Sequence, residues 1–373
     1  MKRFFTAMVV AVAMTAVGAK ARPVLDCPLR DVPYSTNLPL IDILGSPDAK
    51  TVVDIEAPGL LKGLPSPMFG PVAPSFSAII SLRGLAAFKG KQPDSLAFLD
   101  APLAAVPLTS LGRKARCARY DDERPKVSLP SGRPRILLFE KINGFRDAPS
   151  VDAAHTALLS MAKARSWAIL ATDKGGAMNP ATLSKFDLVI WNNISGDVLT
   201  LKQRAAFKKY IENGGGFIGL HGSAGDPITF WDWYVDTLIG ARFAGHPIAK
   251  HFQEARVVIE DASSPLTRGL PPEWMMKDEW YSFTNNPRDS GSTILATLDE
   301  KTYDPAGMRG QNLRMGDHPI VWTRCVGRGR VFYSAIGHLP ETYFDTRYET
   351  LLRNAVDWTL NARQQGCSAA GKM

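Results

Sequence analysis

The chain of 373 residues carries a net charge of +8 and four cysteines, and 45% of its residues are hydrophobic. This length and apolar content predict two domains, or one elaborated domain, with a core that does not depend on disulfides. The basic residues form no block and no helix face interleaved with aromatic residues, which argues against nucleic acid as a partner.

The first 21 residues have the three parts of a secretory signal peptide. Met1-Lys2-Arg3 is basic, an apolar run extends to about Val17, and Ala19-Lys20-Ala21 has the pattern of a cleavage site. The apolar run is shorter than the roughly 20 residues that a membrane-spanning helix needs. We predict cleavage after Ala21, export to the periplasm or the medium, and no stable membrane anchor; transient anchoring is the alternative.

Residues 22–112 are rich in proline, leucine and alanine and predict a small helical module. Ser46-Pro47-Asp48 is a typical helix start. A second helix is predicted from side chains at three- and four-residue spacing, namely Phe76, Ile79, Ile80 and Arg83. The basic, proline-containing residues 113–134 are typical of a linker.

The four cysteines form no Cys-x-x-Cys pair, which disfavours redox catalysis and a thiolate zinc site. In an exported protein an even number of cysteines permits two disulfides, here with three alternative pairings. From closeness in the sequence we predict the structural disulfides Cys27–Cys117 and Cys325–Cys367.

From residue 135 to residue 363 short apolar strands alternate with helical patterns. Strands are predicted at 136–139, 167–172, 187–192, 217–220, 320–325 and 330–336. Helices are predicted at 153–164, from the capping-box sequence Thr200-Leu201-Lys202-Gln203, and around 351–358. The alternation predicts an α/β fold with a doubly wound, mostly parallel sheet, followed by a C-terminal tail at 364–373.

Polar residues recur where the predicted strands end. They are Asn143-Gly144-Phe145-Arg146, Thr172-Asp173, Asn192-Asn193 with Ser195-Gly196-Asp197, His221-Gly222-Ser223 and Gly337-His338. In open α/β sheets, ligands bind beyond the carboxyl ends of the strands. The recurrence therefore predicts a polar pocket at this edge of the sheet.

Several segments resemble the ThuA-like (trehalose-utilisation) family between about residues 135 and 362. They are Gly144-Phe145-Arg146, Asn193 with Ser195-Gly196-Asp197, the segment 214–221, Gly245-His246-Pro247, Asp278-Glu279-Trp280-Tyr281, His318-Pro319-Ile320 and Gly337-His338. The resemblance implies a flavodoxin-like fold related to class I glutamine amidotransferases and a role in carbohydrate metabolism. Some members are linked to 3-keto forms of glucosides. Relatives often have histidine where this chain has Asp147 and where it has Ser264, which disfavours a mechanism or metal site that requires those histidines.

His221 occupies the tight turn after a strand where hydrolases and amidotransferases of related fold present their nucleophile. No cysteine lies there, which excludes glutamine amidotransfer through a thiolate. A histidine at this point suits a general base or a metal ligand, because its ordinary pKa lies near neutrality. A histidine that is hydrogen-bonded to hold the turn is the alternative. Ser223 is a further candidate, although spacing alone establishes no Ser-His-Asp triad.

The other candidates also have structural alternatives. Glu279 would bind hydroxyls or move a proton while Trp280 and Tyr281 stack on a sugar ring, unless these aromatics form a wedge in the core. Trp231 is expected in a sugar-facing lid or in the core. Arg146 is expected to polarise a carbonyl or to form a salt bridge. The remaining predicted substrate contacts are Asn193, Asp197, His246, His318 and His338.

A divalent metal ion is the one cofactor that the sequence suggests. His246 and His251 are five residues apart and separated by Pro247, unlike the pair of a helical zinc motif. A metal site would therefore need histidines that meet in space, with His221, His246 and His338 as candidate ligands.

We predict an enzyme that acts on a glycoside or a 3-keto-sugar by abstracting a proton next to a carbonyl, as an isomerase or a lyase does. His221 or Glu279 would be the base, with Arg146 and Asn193 as electrophilic support. The sugar is implied by the family resemblance and not by the residues alone. Two alternatives stay open: a non-catalytic carbohydrate-binding or sensing domain, and a metal-dependent sugar hydrolase.

Overall fold

The structure, a computed structural model, describes residues 24–66, 68–128, 131–226 and 229–360. The predicted signal peptide, the predicted C-terminal tail and Cys367 lie outside these residues. Among the described residues, no helix combines the length and the apolar character needed to cross a membrane.

The described residues form nine α-helices and eleven β-strands. The helices are α1 Leu40–Leu44, α2 Pro47–Glu56, α3 Leu82–Phe88, α4 Asp100–Ala104, α5 Ser110–Cys117, α6 Ala148–Arg165, α7 Pro180–Leu183, α8 Leu201–Glu212 and α9 Thr346–Leu360. The strands are β1 Arg135–Phe139, β2 Ala168–Thr172, β3 Leu188–Asn192, β4 Gly216–Leu220, β5 Phe243–Gly245, β6 Phe252–Ile259, β7 Glu273–Glu279, β8 Ser282–Phe283, β9 Thr293–Asp299, β10 Pro319–Val326 and β11 Gly329–Ser334.

Nine of these strands form one sheet in the order β2-β1-β3-β4-β11-β10-β9-β6-β7. The first five in this order are mutually parallel, and each of the others is antiparallel to its neighbour. Because the antiparallel pairings alternate in direction, β9 and β7 run the same way as the parallel strands. The predicted α/β fold, with a mostly parallel sheet and a small N-terminal helical module, is confirmed.

The pattern of burial along each strand explains which strands could be predicted from the sequence. β3, β4 and β11 are buried along their whole length, as expected at the centre of a sheet that is covered on both faces. β6 and β7 instead alternate buried with more exposed residues and so lack an apolar run. Neither of them, nor the largely buried β9, is predicted from the sequence.

Two predicted helix starts are confirmed. The Ser46 hydroxyl accepts a hydrogen bond from the Ala49 backbone N–H at 3.3 Å, and Pro47 occupies the first position of α2. At the start of α8, Thr200 and Gln203 form both hydrogen bonds of a capping box.

The second helix predicted in the N-terminal module is wrong as a single element. Phe76 lies in a 3₁₀ turn at Phe76–Ala78 and Arg83 lies in α3, whereas Ile79 and Ile80 lie between the two elements. The Ser75 hydroxyl accepts a hydrogen bond from Ser77 N–H, and the Ser81 hydroxyl accepts one from Gly84 N–H. Each serine therefore caps its own helical start, and the chain cannot continue as one helix between them.

The N-terminal module has an apolar core of its own, formed mainly by α1 to α4. α5 crosses the predicted boundary between residues 112 and 113, so the predicted linker begins inside a helix. Cys117, at the end of α5, forms the predicted disulfide with Cys27, with a Cα–Cα distance of 5.3 Å. The other predicted pairing, Cys325–Cys367, involves a residue outside the described part of the chain.

Residues that follow α5 attach the module to the α/β domain. Arg119 forms a buried ion pair with Asp42 of α1, and the two side chains are 5% and 1% exposed. The Tyr120 hydroxyl donates a hydrogen bond to Asp197 of the α/β domain at 3.0 Å. Ser75 N–H also donates to the carbonyl of Asn143, which follows β1, at 3.1 Å. The module is therefore held against the carboxyl edge of the sheet.

We expect Asp42→Ala to lower the free energy of unfolding by about 3–5 kcal/mol, because it leaves the buried Arg119 guanidinium without its charge partner. Urea titration measures the change. Asp54→Ala is the matched control, since it removes an exposed ion pair with Lys50 on α2 and should cost less than about 1 kcal/mol. Equal losses for the two variants would contradict the role given to the buried pair.

Candidate functional site

Four of the six histidines of the chain surround one carboxylate, that of Glu279. We call Glu279 with His221, His246, His251 and His338 the Glu279 cluster. Glu279 Oε2 lies 3.1 Å from His221 Nε2 and 2.9 Å from His338 Nδ1. Its other oxygen, Oε1, contacts His251 Nε2 and lies 3.2 Å from His246 Nδ1.

The directions of the strands bring these residues together. His221 directly follows β4, and His338 comes four residues after the end of β11. Glu279 is the last residue of β7, which runs in the same direction as those two strands. β6 runs the opposite way, and its first residue Phe252 pairs with Glu279, so His251 lies at the same edge.

Four strands separate β4 from β7 in the sheet order, yet the ends of β4 and β7 meet in the cluster. The antiparallel half of the sheet therefore curls over the carboxyl edge of the parallel half. His221 has a φ of 36°, which is uncommon for a residue with a side chain and typical of strained functional positions. The Tyr333 hydroxyl holds this turn by donating to the His221 carbonyl at 2.8 Å.

The Glu279 carboxylate is buried and fully engaged by the histidines. Burial raises its pKa, but the neighbouring imidazoles of His221, His251 and His338 outweigh burial and hold the pKa well below its ordinary value. Glu279 is 2% exposed. A carboxylate of low pKa with both oxygens occupied is a weak base, so Glu279 suits the role of an anion that organises the histidines.

Contacts outside the cluster fix the orientation of two of its rings. His221 Nδ1 donates a hydrogen bond to the Ala335 carbonyl at 2.7 Å. His338 Nε2 lies 3.4 Å from Asp147 Oδ2. Burial lowers the pKa of His246 despite the nearby Glu279, which favours the neutral imidazole at this position.

Asp278 holds the backbone that carries His338. Its carboxylate is completely buried and accepts hydrogen bonds from Gly337 N–H at 2.9 Å, His338 N–H at 3.0 Å and Leu339 N–H at 3.1 Å. The Thr342 hydroxyl donates to it at 2.9 Å. Burial raises the pKa of Asp278 above its ordinary value in spite of these donors.

The Glu279 cluster forms the floor of a cavity of about 380 Å³. This volume lies in the range of small-molecule sites. Polar lining groups outside the cluster come from Asp147, Ser150, Asn193, Ser195 and Asp226. Aromatic lining comes from the α/β domain through Phe145, Phe243 and Tyr281.

The N-terminal module provides one wall of the same cavity. Its contribution is apolar and consists of Met68, Phe69, Phe76, Ile79 and Phe88. Gly144, after β1, lies so close to this wall that a side chain at its position would overlap both Ile79 and Ser195. Glycine is therefore needed where the module meets the loop after β1.

Comparison with known proteins identifies the family. The family model ThuA, described as trehalose utilisation, matches residues 135–359, more than half of the chain. The chain belongs to the ThuA family. A ThuA-like protein of known structure from Bacteroides uniformis ATCC 8492 is 27% identical with a TM-score of 0.53, and the match covers 64% of this chain and 95% of that one.

A ThuA-like protein from Parabacteroides merdae ATCC 43184 is 19% identical with a TM-score of 0.46, and the match covers 64% of this chain and 93% of that one. No curated protein matches the chain in sequence. Family membership covers the α/β domain, whereas the module that walls the cavity precedes the matched residues.

The structure brings six of the predicted site residues to this cavity. They are Asn193, His221, His246, Glu279, Tyr281 and His338. The Tyr281 ring lies 4.2 Å from the His221 ring, measured between centroids, so it shields the cluster on one side. Asn193 is already engaged, because its amide donates to Asn192 Oδ1 and to the Tyr343 hydroxyl, both at 2.9 Å.

Arg146 and two other predicted residues do not reach the cavity. Arg146 pairs with Asp152 at 3.1 Å and lines a separate cavity, so it is not placed to polarise a carbonyl at the cluster. Trp280 is 1% exposed and donates from its indole to the Gln253 carbonyl. His318 is buried between the Glu300 carboxylate and the Tyr281 carbonyl, both at 2.8 Å. The core and salt-bridge alternatives describe these three better than substrate contact does.

Asp197, Ser223 and Trp231 also lie elsewhere, around a neighbouring cavity that has an apolar lining. Asp197 is paired with Arg204 and accepts from the Tyr120 hydroxyl. The Ser223 hydroxyl donates to the Trp191 carbonyl at 3.0 Å and is not activated by a histidine. Trp231 packs beneath the Arg204 guanidinium. Their contacts are those of structural residues.

Sequence reasoning did not select His251, Asp147 or Asp226 as site residues. His251 would have required recognition of β6, because its position depends on the pairing of Phe252 with Glu279. Asp147 stands where relatives often have histidine, and here it contacts His338. Ser264, the other departure, accepts a hydrogen bond from Leu266 N–H in a turn and is not a lining residue of the cavity.

We expect Asp278→Asn to lower the free energy of unfolding by about 2–3 kcal/mol, because an amide group replaces one acceptor oxygen among buried donors. Urea titration gives the value. Asp261→Asn is the matched control, since Asp261 is exposed and caps Ser263; a change beyond about 0.5 kcal/mol is not expected there. A loss no larger than in the control would show that Asp278 does not hold the His338 turn.

Asp226 predicts a pH dependence of stability. Burial raises its pKa to about 7 in the folded chain, although Gly196 N–H and the Ser195 hydroxyl donate to it. The unfolded chain loses this proton near pH 3.9. Between about pH 4 and pH 7 the group is therefore ionised in the unfolded chain but protonated in the folded chain, so stability falls as the pH rises through this window.

Asn at position 226 cannot ionise. Between pH 5 and pH 8 the stability of the wild type should fall relative to Asp226→Asn by about 2–4 kcal/mol. Urea titrations of both proteins at each pH measure the difference, in which other titrating groups cancel. A difference that does not change with pH would refute the raised pKa.

Proposed function

We propose that this ThuA-family chain is an exported enzyme that removes a proton next to the carbonyl of a keto-sugar or keto-glycoside. The observation that carries the proposal is the cluster of four histidines around a buried carboxylate at the floor of a small-molecule cavity. Histidine is the side chain best suited to proton transfer near neutral pH. The sugar is supported by the family description, and export by the predicted signal peptide.

His246 is the base in this proposal. Its Nδ1 lies 3.0 Å from the Pro247 carbonyl, which only accepts, so the ring proton is on Nδ1. Nε2 then carries the lone pair that takes a proton. His246 lines the cavity and its side chain is 24% exposed, whereas His221 is 3% exposed. This assignment replaces His221 and Glu279, the two bases expected from the sequence.

The electron pair of the broken C–H bond moves to the carbonyl oxygen and forms an enolate. The negative charge on that oxygen requires a cation or a hydrogen-bond donor beside it, and Arg146 and Asn193 do not supply one because they are engaged elsewhere. Return of the proton to the other face of the same carbon gives an epimer. Loss of a substituent from the next carbon, β to the carbonyl, regenerates the carbonyl and gives an unsaturated elimination product, so isomerase and lyase outcomes share the first step.

The lining of the cavity supports a carbohydrate ligand. Phe145 and Phe243 offer apolar faces of the kind that pack on sugar rings, and the Asp147 carboxylate offers acceptors for hydroxyls. A cavity that combines aromatic surface with a few polar groups is typical of small-molecule sites.

The test is proton NMR of a methyl 3-keto-glucoside in D₂O, with a blank that contains no protein. We expect wild type to exchange the proton next to the ketone, and His246→Ala to do so at least about 100-fold more slowly, the contribution typical of a general base. Arg146→Ala is the matched control and should exchange within about twofold of wild type.

Two results would count against the proposal. Exchange that is equally fast in His246→Ala would remove His246 as the base. If wild type gave no exchange, but addition of the sugar shifted backbone NMR signals of the protein to saturation, the chain would be a non-catalytic sugar-binding domain.

A further inference from the structure

Within the Glu279 cluster, the available N–H groups do not account for every close contact between nitrogen and oxygen atoms. His221 Nδ1 donates to the Ala335 carbonyl at 2.7 Å, which uses the one N–H of the neutral ring. Its Nε2 lone pair then faces Glu279 Oε2 and His338 Nδ1, each at 3.1 Å. These are two acceptors, with no donor from His221 between them.

His338 is oriented in the same sense. Its Nε2 lies 3.4 Å from the Asp147 carboxylate, the typical partner for an imidazole N–H. Its Nδ1 lone pair then faces the carboxylate oxygen of Glu279 at 2.9 Å. Three electron-rich atoms therefore converge on one point, and a cation between them would stabilise all three.

The size of this triangle fits a first-row divalent metal ion. The sides are 3.1, 3.1 and 2.9 Å, between His221 Nε2, His338 Nδ1 and Glu279 Oε2. In a tetrahedral site with bonds of about 2.0–2.2 Å to nitrogen and oxygen, neighbouring ligand atoms lie about 3.3–3.6 Å apart. The three atoms thus need to move apart by about 0.2–0.7 Å to hold such an ion.

We infer that His221, His338 and Glu279 bind one divalent metal ion of the class that prefers imidazole ligands, such as Zn²⁺. The inference deepens the proposed function and depends on it for the role of the ion. The second set of groups, His246 and His251 on Glu279 Oε1, is not a second metal site, because His246 Nδ1 carries a proton. Those two histidines instead keep the Glu279 carboxylate turned so that Oε2 faces the ion.

Residues around the ligands complete the arrangement expected of a metal centre. The Ala335 carbonyl and the Asp147 carboxylate contact the ring nitrogens of His221 and His338 that point away from the ion. These contacts fix the nitrogen that each ring presents to the ion. Three protein ligands leave coordination positions open to the cavity, as in catalytic sites. A carbonyl oxygen bound there would be polarised within reach of the base, His246.

The experiment is isothermal titration of the full chain, expressed without a polyhistidine tag and dialysed against a chelator, with Zn²⁺. Co²⁺ serves as a second probe, because its visible absorption reports the ligand environment. We expect one equivalent of Zn²⁺ to bind, with affinity at least about 100-fold weaker in His338→Ala and about 10-fold weaker in His251→Ala. His155→Ala is the matched control, since His155 pairs with Glu140 outside the cluster; it should bind as wild type does.

His221 is buried, so its variant is tested by the Co²⁺ spectrum only after circular dichroism has shown that the variant folds. If the His221 variant does not fold, His338→Ala provides the test. Absence of Zn²⁺ binding to wild type, or equal affinity in His338→Ala and wild type, would overturn the inference. Binding of Zn²⁺ without exchange of the sugar proton would retain the metal site and remove the proposed function. Exchange at full rate after chelation, together with no binding of Zn²⁺, would retain the proposed function and remove the metal site.

Discussion

A single buried carboxylate determines how the carboxyl edge of this sheet is built. Glu279 is withdrawn from water, and an unpaired charge in such a place would cost several kcal/mol. Four histidines from three connections, those after β4, between β5 and β6, and after β11, approach it and offset that cost. For the histidines to reach Glu279, these connections must meet at the same point of the carboxyl edge of the sheet. The burial of this one carboxylate therefore restricts the positions of several strands.

Neighbouring residues of β7 divide this task. Asp278 faces the backbone of residues 337–339 and holds it through three N–H groups, while Glu279 faces the histidines. Asp278 fixes the backbone position of His338, and Glu279 fixes the orientation of the His338 ring. These backbone hydrogen bonds restrict the loop that carries His338.

The parallel half of the fold was accessible from the sequence, because strands buried on both faces read as short apolar runs. The polar residues after those strands located His221 and His338 correctly. β6 and β7 were not predicted, since charged residues interrupt their apolar residues and leave no continuous apolar run, and since their pairing joins segments that are separate in the sequence. His251 was therefore named but not selected.

Side-chain direction was the other property that the sequence did not reveal. Trp280 and Tyr281 are adjacent and equally suited to stack on a sugar, yet one is in the core and the other lines the cavity. Arg146 carries a family motif, but an aspartate on α6 is its nearest partner. A helix start is encoded by a few neighbouring residues, as at Thr200, whereas the orientation of a ring depends on the whole neighbourhood.

The apolar wall contributed by the N-terminal module lies apart in the sequence from the histidines of the cavity floor. The module has its own core and its own disulfide, and it supplies none of the groups of the Glu279 cluster. Under the proposed function, the residues that limit ligand size and those that transfer the proton therefore belong to different stretches of the chain. Substitutions at residues such as Met68 or Phe88 would change which ligand substituents are accommodated without altering the histidines. Exchange of one module for another would give related chains different ligand ranges above the same cluster.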